Sequence, residues 1–216
     1  MDRAAAGAQR SPACLLAVSK TQPAAAIAAL AAQGQRAFGE NYVQEAAGKI
    51  AELAPLQLQW HLIGQLQSNK AEQAAVLFDW VQSVDRIKLV AALAKYRPAA
   101  RPPLNVLIQV NIDDETSKHG CAPAEVDALA AAVAAQPTLR LHGLMAIPAP
   151  WPEAERRGPA FARMATLFER LHAAYPQADM LSMGMSGDFA AAIAAGANLV
   201  RIGTALFGSR APRAAP

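Results

Sequence analysis

The feature that most constrains the fold of this chain is a strict alternation between short β-like runs and alanine-rich segments of helical length. Eight β-like runs follow one another in this way: LLAVS, AFGEN, QWHLIG, WVQSV, NVLIQVN, LRLHGLMAI, MLSMGM and LVRIGTALFG. Such alternation is typical of a parallel sheet whose strands are joined by crossover helices. Eight units in 216 residues predict an α/β fold, a single (β/α)8 TIM barrel, although an open doubly wound sheet gives the same pattern.

The composition agrees with a soluble domain rich in helix. Hydrophobic residues make up 53% of the chain, and much of that share is alanine, a strong helix former. The net charge is +3 without a block of consecutive basic residues, so nucleic-acid binding is not indicated. No apolar run approaches the length that spans a bilayer. Two cysteines, Cys14 and Cys121, are too few for a disulfide framework, and we expect buried thiols in a cytoplasmic protein.

No linker or low-complexity stretch divides the chain, so we predict one domain with short flanks. The barrel is expected from residue 15 to residue 208. A short N-terminal segment, residues 1–14, precedes it, and a tail, residues 209–216, is predicted to be disordered.

Polar residues collect where the β-like runs end, which in a (β/α)8 barrel is where active sites are built. Several such residues stand at these ends: Lys20, Asn41, His61, Ser186, Gly203 and Thr204. Most of them also have a purely structural interpretation. Asn41 and Ser186 are credible helix N-caps, and His61 is a credible core histidine. Their convergence on one end of the barrel favours a binding site.

The position of Lys20 and the turns after the last two runs predict a particular chemistry. Lys20 directly follows an apolar run, in LLAVSK. SGDFAAAIAAG begins a helix with Ser186 and Gly187, and RIGT follows the last run, so backbone N–H groups are available to an anion. Barrels commonly bind phosphate after their seventh and eighth strands. A lysine facing a phosphate pocket suggests a Schiff base with a phosphorylated aldehyde, because burial makes a lysine amine nucleophilic.

Other chemistries have less support in the sequence. The four histidines lack the spacing of metal ligands, and no carboxylate cluster accompanies them. The nucleophile elbow of serine hydrolases and the GxGxxG fingerprint of dinucleotide-binding domains are both absent from the sequence.

Eight sequence blocks, in order from about Leu15 to Gly208, resemble the successive blocks of a known family: LLAVSKTQP, FGENYVQE, WHLIGQLQSNK, VQSVDR, SKHG, HGLMAI, LSMGMSGDFAAAIAAG and VRIGTALFG. They resemble the YggS/PROSC family of pyridoxal 5'-phosphate (PLP) homeostasis proteins. That family is similar in fold to the barrel domain of bacterial alanine racemase. The resemblance implies that Lys20 holds PLP covalently, as an aldimine.

The same resemblance implies the other contacts of the cofactor. Three residues would bind its phosphate: Ser186, Gly203 and Thr204. Arg201 would face the pyridine nitrogen, as the matching arginine does in alanine racemase. Asn41 and His61 match positions that line the pocket of the family, and Met183 would pack near the ring.

The function that we favour from the sequence is a PLP carrier or reservoir without substantial turnover. A guanidinium opposite the pyridine nitrogen disfavours protonation of that nitrogen and weakens the ring as an electron sink. The chain also ends after the barrel, whereas alanine racemase continues into a second domain that supplies an acid/base and a dimer partner. We therefore expect a monomer that is not an enzyme and that hands PLP to apo PLP-dependent enzymes.

Two alternatives remain open at this point. The first is a PLP-dependent amino-acid racemase with Lys20 as one base and a tyrosine as the other, although Tyr42, Tyr96 and Tyr175 all fall in helical segments. The second is an aldolase-type barrel whose lysine bonds a sugar phosphate directly. Such an enzyme needs a carboxylate near the lysine.

Overall fold

The alternation in the sequence corresponds to a closed barrel. A computed structural model describes residues 13–113, 119–148 and 154–208, and only the backbone of residues 154–157. Within these residues eight parallel strands pair in the order of the sequence, and the last pairs with the first. Leu16 of the first strand lies opposite Arg201 of the last, and Ala17 lies opposite Phe38 of the second. The predicted (β/α)8 barrel is confirmed, and the open sheet is excluded.

Each strand is followed by an α-helix. The strands are Cys14–Val18 (β1), Ala37–Glu40 (β2), Gln59–Leu62 (β3), Trp80–Val84 (β4), Leu104–Val110 (β5), Leu139–Ala146 (β6), Met180–Ser182 (β7) and Leu199–Ile202 (β8). The helices are Ala24–Ala32 (α1), Val43–Glu52 (α2), Ala71–Leu77 (α3), Ile87–Tyr96 (α4), Val126–Ala134 (α5), Ala154–Ala174 (α6), Phe189–Ala194 (α7) and Thr204–Phe207 (α8).

The hydrophobic core lies between the barrel and its ring of helices. Helix α4 shows the pattern: Leu89, Val90 and Leu93 form one apolar stripe, and all three are buried in the main hydrophobic core. Removing one such leucine from water stabilises the fold by about 1.5–3 kcal/mol. Strand β4 is buried along its whole length, including the polar side chains of Gln82 and Ser83. The barrel interior therefore contains polar groups that need partners inside the protein.

Several smaller predictions can be compared with the structure. In the described residues, no helix has the length and apolar character needed to cross a membrane. The two cysteines are not joined by a disulfide, and burial raises the pKa of the Cys121 thiol to about 12. The prediction that both thiols are buried was wrong for Cys14, which is exposed because it begins β1 at the rim of the barrel. The tail of residues 209–216 and residues 1–12 of the N-terminal segment lie outside the described residues.

Candidate functional site

A cavity of about 290 Å³ opens at the carboxyl ends of the strands. Its size is at the lower end of the range for small-molecule sites. Its lining consists of Val18, Lys20, Gln22, Asn41, Ile63, Ile147, Met185, Ser186, Gly187, Arg201, Gly203, Thr204 and Gly208. Lys20 and Arg201 are cationic, and none of these described lining residues is acidic. The cavity therefore favours an anionic ligand.

Six of the eight predicted site residues line this cavity: Lys20, Asn41, Ser186, Arg201, Gly203 and Thr204. The other two, His61 and Met183, are buried elsewhere and are not part of its lining. Met183 packs in the main core, because successive residues of an extended chain face opposite sides and Ser182 is the one that points into the barrel. Met185 lines the cavity instead.

Lys20 stands on a tight turn directly after β1. The next residue, Thr21, has φ of +64°, in the left-handed region that β-branched residues rarely adopt. A residue held there costs on the order of 1–3 kcal/mol, and it persists only where surrounding contacts fix it.

Those contacts come from an ionic cluster beside the turn, formed by Ser19, Thr21, Glu40, Glu45 and Lys49. The Lys49 ammonium donates to the Ser19 carbonyl at 2.9 Å, to Glu40 Oε1 at 2.8 Å and to Glu45 Oε1 at 2.6 Å. The Ser19 hydroxyl donates to Glu40 Oε1 at 2.6 Å, and the Thr21 N–H donates to Glu45 Oε1 at 2.5 Å. Glu40 is fully buried and burial raises the pKa of its carboxyl, although Lys49 and Ser19 oppose this.

Arg201 enters the cavity from β8, the strand that pairs with β1, and is almost fully buried. Its Nη1 donates to the Ser182 hydroxyl and its Nη2 donates to the Ala146 carbonyl, both at 2.8 Å. Burial lowers the pKa of the guanidinium to about 10, and Asp188 opposes this shift. Arg201 therefore stays charged near neutral pH, and two acceptors fix its orientation.

A hydrogen-bond chain of Ser182, Gln82, His61 and Gln59 continues from Arg201 across the barrel interior. Because Ser182 accepts from Arg201, its own hydroxyl donates to Gln82 Oε1, at 2.7 Å. The Gln82 amide nitrogen then donates to His61 Nδ1 at 2.9 Å, and His61 Nε2 donates to Gln59 Oε1 at 3.1 Å. Burial lowers the pKa of His61 to about 3, and its ring stacks on Trp80. His61 is thus a neutral imidazole with its proton on Nε2.

The turns after β7 and β8 complete the cavity. The prediction that Ser186 is a helix N-cap was wrong: α7 begins at Phe189, with Asp188 at the N-cap accepting from the Met185 N–H at 2.6 Å. Ser186 instead lies in the turn before the helix, on the cavity side. Gly203 is the N-cap of α8, so Thr204 lies in a first helical turn, where N–H groups have no partner within the helix.

The turn after β7 depends on a glycine. Gly184 has φ of +95°, and a Cβ at this position would lie 2.6 Å from the Ala192 side chain of α7. Such a contact is too short for real carbon atoms. The absence of a side chain lets α7 pack closely and sets the position of the Ser186 turn.

Asn41 also differs from its predicted role as an N-cap. Helix α2 begins at Val43, and Tyr42 occupies the N-cap position without a side-chain bond. Asn41 faces the cavity instead, and its carbonyl packs so closely on Gly64 that any side chain there would overlap it. Asn41 and Lys20 thus line the same cavity.

Sequence reasoning missed the two networks behind the cavity. Glu45 and Lys49 stand four residues apart in a predicted helix, which is the spacing of an ion pair, and Glu40 ends the preceding β-run. Gln82 and Ser182 are polar residues in otherwise apolar strands, which is the available signal that they need buried partners. In the described ranges, no three metal-ligating side chains come together.

Comparison with known proteins agrees with this geometry. Residues 2–211 match the family model of the alanine racemase N-terminal domain. The chain is 57% identical over 199 residues to a pyridoxal phosphate homeostasis protein of Escherichia coli (strain K12), covering 91% of this chain and 85% of that protein. It is 56% identical over 209 residues to a pyridoxal phosphate homeostasis protein of Pseudomonas aeruginosa, covering 96% and 90%.

A solved structure supports the same assignment. PipY of Synechococcus elongatus PCC7942, solved with PLP bound, is 40% identical to this chain, with a TM-score of 0.80 over 93% of this chain and 95% of PipY. The fold and the lysine at the barrel mouth thus define a (β/α)8 barrel of the alanine racemase type. The chain belongs to the alanine racemase N-terminal domain family and, within it, to the family of pyridoxal phosphate homeostasis proteins, which confirms the resemblance seen in the sequence.

Proposed function

We propose that this chain binds PLP reversibly through a Schiff base on Lys20 and serves in intracellular PLP homeostasis, without substantial catalytic turnover. One observation carries the proposal: Lys20 shares a cavity with Arg201 and with the Ser186 and Thr204 turns, and no described lining residue is acidic. The PLP-bound structure of the related PipY supports it.

The lining residues match the chemistry of PLP. When bound, this cofactor supplies an aldehyde that an amine can attack, together with an aromatic ring and a phosphate. Lys20 offers the amine, and the Ser186 and Thr204 hydroxyls offer donors for an anion. Ile63 and Ile147 offer apolar surface for the faces of a ring. We propose the set Lys20, Asn41, Ser186, Arg201, Gly203 and Thr204 as the binding residues, with His61 acting through the hydrogen-bond chain and Met185 taking the place of Met183.

The proposed lack of turnover rests on the state of Arg201. A guanidinium whose pKa is about 10 keeps its proton near neutral pH and can only donate. It is therefore suited to an unprotonated pyridine nitrogen, and a ring in that state accepts electrons poorly. Inverting an amino acid also needs a proton-transfer group on each face of Cα. Beside Arg201, Lys20 is the one lining residue, among those described, with an ionisable side chain.

The cellular role follows from reversible binding. A protein that holds PLP on a lysine limits the free aldehyde and can release it to apo PLP-dependent enzymes, which we propose as recipients. We propose that this happens in the cytoplasm and that the working unit is a monomer made of one barrel, residues 15–208.

A visible spectrum before and after borohydride reduction, followed by peptide mapping, tests the covalent bond. PLP-loaded protein is expected to be yellow, and reduction should fix the cofactor on Lys20. Lys20→Ala should abolish the band while the fold is retained, whereas Lys88→Ala, an exposed lysine of α4, should leave it unchanged. A reducible band that persists in Lys20→Ala would show that another lysine, such as Lys70 or Lys118, forms the bond. A colourless protein that instead binds sugar phosphates would favour the aldolase alternative.

Hydrogen–deuterium exchange at Cα separates a carrier from a racemase. PLP-loaded protein is incubated in D2O with alanine, lysine, ornithine or serine. We expect no appreciable deuterium at Cα, because exchange of the incoming amine with Lys20 does not require loss of the Cα proton. Deuterium incorporation at a rate on the order of 1 s⁻¹ or faster would establish the racemase alternative.

A further inference from the structure

We propose that the ionic cluster of Lys49, Glu40 and Glu45 positions Lys20: it holds both chain neighbours of Lys20 and thereby presents the Lys20 amine to the cavity. This inference rests on the proposed function of Lys20. Lys49, Glu40 and Glu45 are absent from the cavity lining, so they act through the turn and are positioning residues.

Lys49 has its full set of hydrogen-bond partners inside the cluster. An ammonium group has three N–H donors. Lys49 directs them to three acceptors, the Ser19 carbonyl, Glu40 Oε1 and Glu45 Oε1, at 2.6–2.9 Å. Its side chain is also almost fully buried. Lys49 is therefore saturated and shielded, so it is unsuited to bond an aldehyde itself despite lying beside the turn of Lys20.

The hydrogen bonds of the cluster reach the residues on both sides of Lys20. On one side of Lys20, Ser19 is held through its carbonyl by Lys49 and through its hydroxyl by Glu40. On the other side, the Thr21 N–H is held by Glu45. The backbone is thus fixed immediately before and immediately after Lys20, which restricts the direction in which its side chain leaves the chain.

The cluster also holds an unfavourable backbone conformation at Thr21. Thr21 has φ of +64°, which is unfavourable for a threonine in an unconstrained chain. Without an acceptor for its N–H, this residue would be expected to relax towards negative φ and to turn Lys20 away from its present direction. The contact from Glu45 to Thr21 is therefore the one most directly tied to the placement of Lys20.

The cluster is rigid because its members belong to regular secondary structure. Glu45 and Lys49 stand one turn apart in α2, and Glu40 ends β2, which pairs with β1. The cluster thus connects the turn of Lys20 to a helix and to the neighbouring strand. Glu40 is fully buried, where low dielectric strengthens hydrogen bonds to charged groups.

Glu45 gives the sharpest test because it is partly exposed, so its replacement should be tolerated by the fold. Glu45→Ala removes the acceptor of the Thr21 N–H, whereas Glu45→Gln retains a side-chain oxygen at that place. Glu52→Ala, an exposed residue of the same helix, is the matched control. Two quantities are measured on the full chain: amide exchange of Thr21 in PLP-free protein, and the rate at which the visible PLP–lysine band forms after mixing.

We expect Glu45→Ala to accelerate exchange of the Thr21 amide. It should also slow formation of the band by about tenfold, because one charge-assisted hydrogen bond is lost. Glu45→Gln should recover most of the rate, and Glu52→Ala should match the parent chain. A Glu45→Ala protein with unchanged exchange and rate, or a Glu45→Gln protein as slow as Glu45→Ala, would overturn the proposal.

A second variant approaches Lys20 from the other side. Ser19→Ala removes the hydroxyl bond to Glu40 at almost constant volume, and it should also slow band formation. A Ser19→Ala protein that forms the band at the parental rate would contradict the role of Glu40. In every variant, borohydride mapping reports whether Lys20 carries PLP. If mapping of the parent chain does not find PLP on Lys20, the proposed function itself is wrong. If PLP is on Lys20 and the variants form the band at the parental rate, only the positioning role is wrong.

Discussion

The cavity has two walls that the protein supports in different ways. The lysine wall, with Lys20 and Asn41 after β1 and β2, is backed by a buried cluster of full charges. The arginine wall consists of Arg201 in β8 and of Ser186 and Thr204 after β7 and β8, and it is backed by neutral hydrogen-bond partners. Each wall presents one cation to the same space.

This difference matches what each wall is proposed to do. A covalent bond at Lys20 requires one atom in one place, and charge-assisted bonds on both sides of the residue supply strong positional restraint. Recognition of an anion needs several donors of moderate strength, which hydroxyls and helix-end amides provide. The comparison leads to four predictions, because charged and neutral supports fail differently when a partner is removed.

The largest effect is expected from removing the central charge behind the lysine wall. Lys49→Met leaves Glu40 and Glu45 without their cation, and Glu40 is fully buried. Breaking a buried ionic group in this way costs about 3–5 kcal/mol of unfolding free energy. Denaturant unfolding measures the loss. Lys88→Met on the exposed face of α4 is the control and should change stability by less than about 0.5 kcal/mol.

A companion substitution sharpens this prediction. Adding Glu40→Gln to Lys49→Met removes the buried negative charge and should restore part of the lost stability. If the loss of unfolding free energy in the double variant equals the sum of the losses in the two single variants, the charges are not coupled in the way the cluster requires.

The next largest effect concerns the hydroxyls of the arginine wall. Ser186→Ala and Thr204→Val should each weaken PLP binding by about 1.5–3 kcal/mol, the usual worth of a hydrogen bond to a charged group. Binding of pyridoxal, which lacks the phosphate, should change little. Titration with both ligands makes the measurement, and equal weakening of the two would remove Ser186 and Thr204 from the phosphate site.

A smaller effect is expected inside the barrel, where the arginine wall is supported. Ser182→Ala leaves one N–H of Arg201 and Gln82 Oε1 without their partner. The two lost hydrogen bonds are each worth about 0.5–1.5 kcal/mol, so the loss is about 1–3 kcal/mol in total, and no charge loses its counter-ion. Denaturant unfolding should therefore show a smaller loss than in Lys49→Met. A loss as large as that in Lys49→Met would mean that the two supports do not differ in kind.

The sequence was sufficient to predict eight alternating strand and helix units, because that signal is repeated and local. Each β-run and each apolar stripe, such as Leu89, Val90 and Leu93, indicates its own element, and strand order then follows from short connections. The residues at strand ends were predictable for the same reason. Lys20 and Thr204 line the cavity because each lies at the end of a run whose position along the chain is clear, whereas Arg201 was expected there only from the family resemblance.

The supports behind the walls could not be predicted in this way, because they depend on side-chain direction and on pairs distant in sequence. Gln82 and Ser182 are 100 residues apart, and only closure of the barrel brings them together. The sequence does not tell which of Met183 and Met185 reaches the cavity, because the turn at Gly184 decides this. The caps predicted at Asn41 and Ser186 were wrong because α2 and α7 begin later than expected, with Tyr42 and Asp188 at their N-cap positions.

The last prediction is a pH dependence in which the two supports respond with opposite sign. The folded pKa of His61 is lowered to about 3 from an ordinary value of 6.5. Between these values the unfolded chain binds a proton that the folded chain refuses, so stability falls as the pH falls below about 6.5. Glu40 behaves in the opposite way. Its folded pKa is raised, so its contribution is present at low pH and is lost as the pH rises through that folded pKa.

His61→Gln isolates the neutral support. When the pH is lowered from about 7 to about 5, the unfolding free energy of the parent chain should fall by about 2 kcal/mol because of His61. The variant should not show this loss. His142 packs on the same Trp80 and also has a lowered pKa, but it is present in both proteins and cancels in the difference. Denaturant unfolding at the two pH values makes the measurement. Equal pH slopes would mean that folded His61 accepts a proton, which its Nδ1 cannot do while Gln82 donates to it.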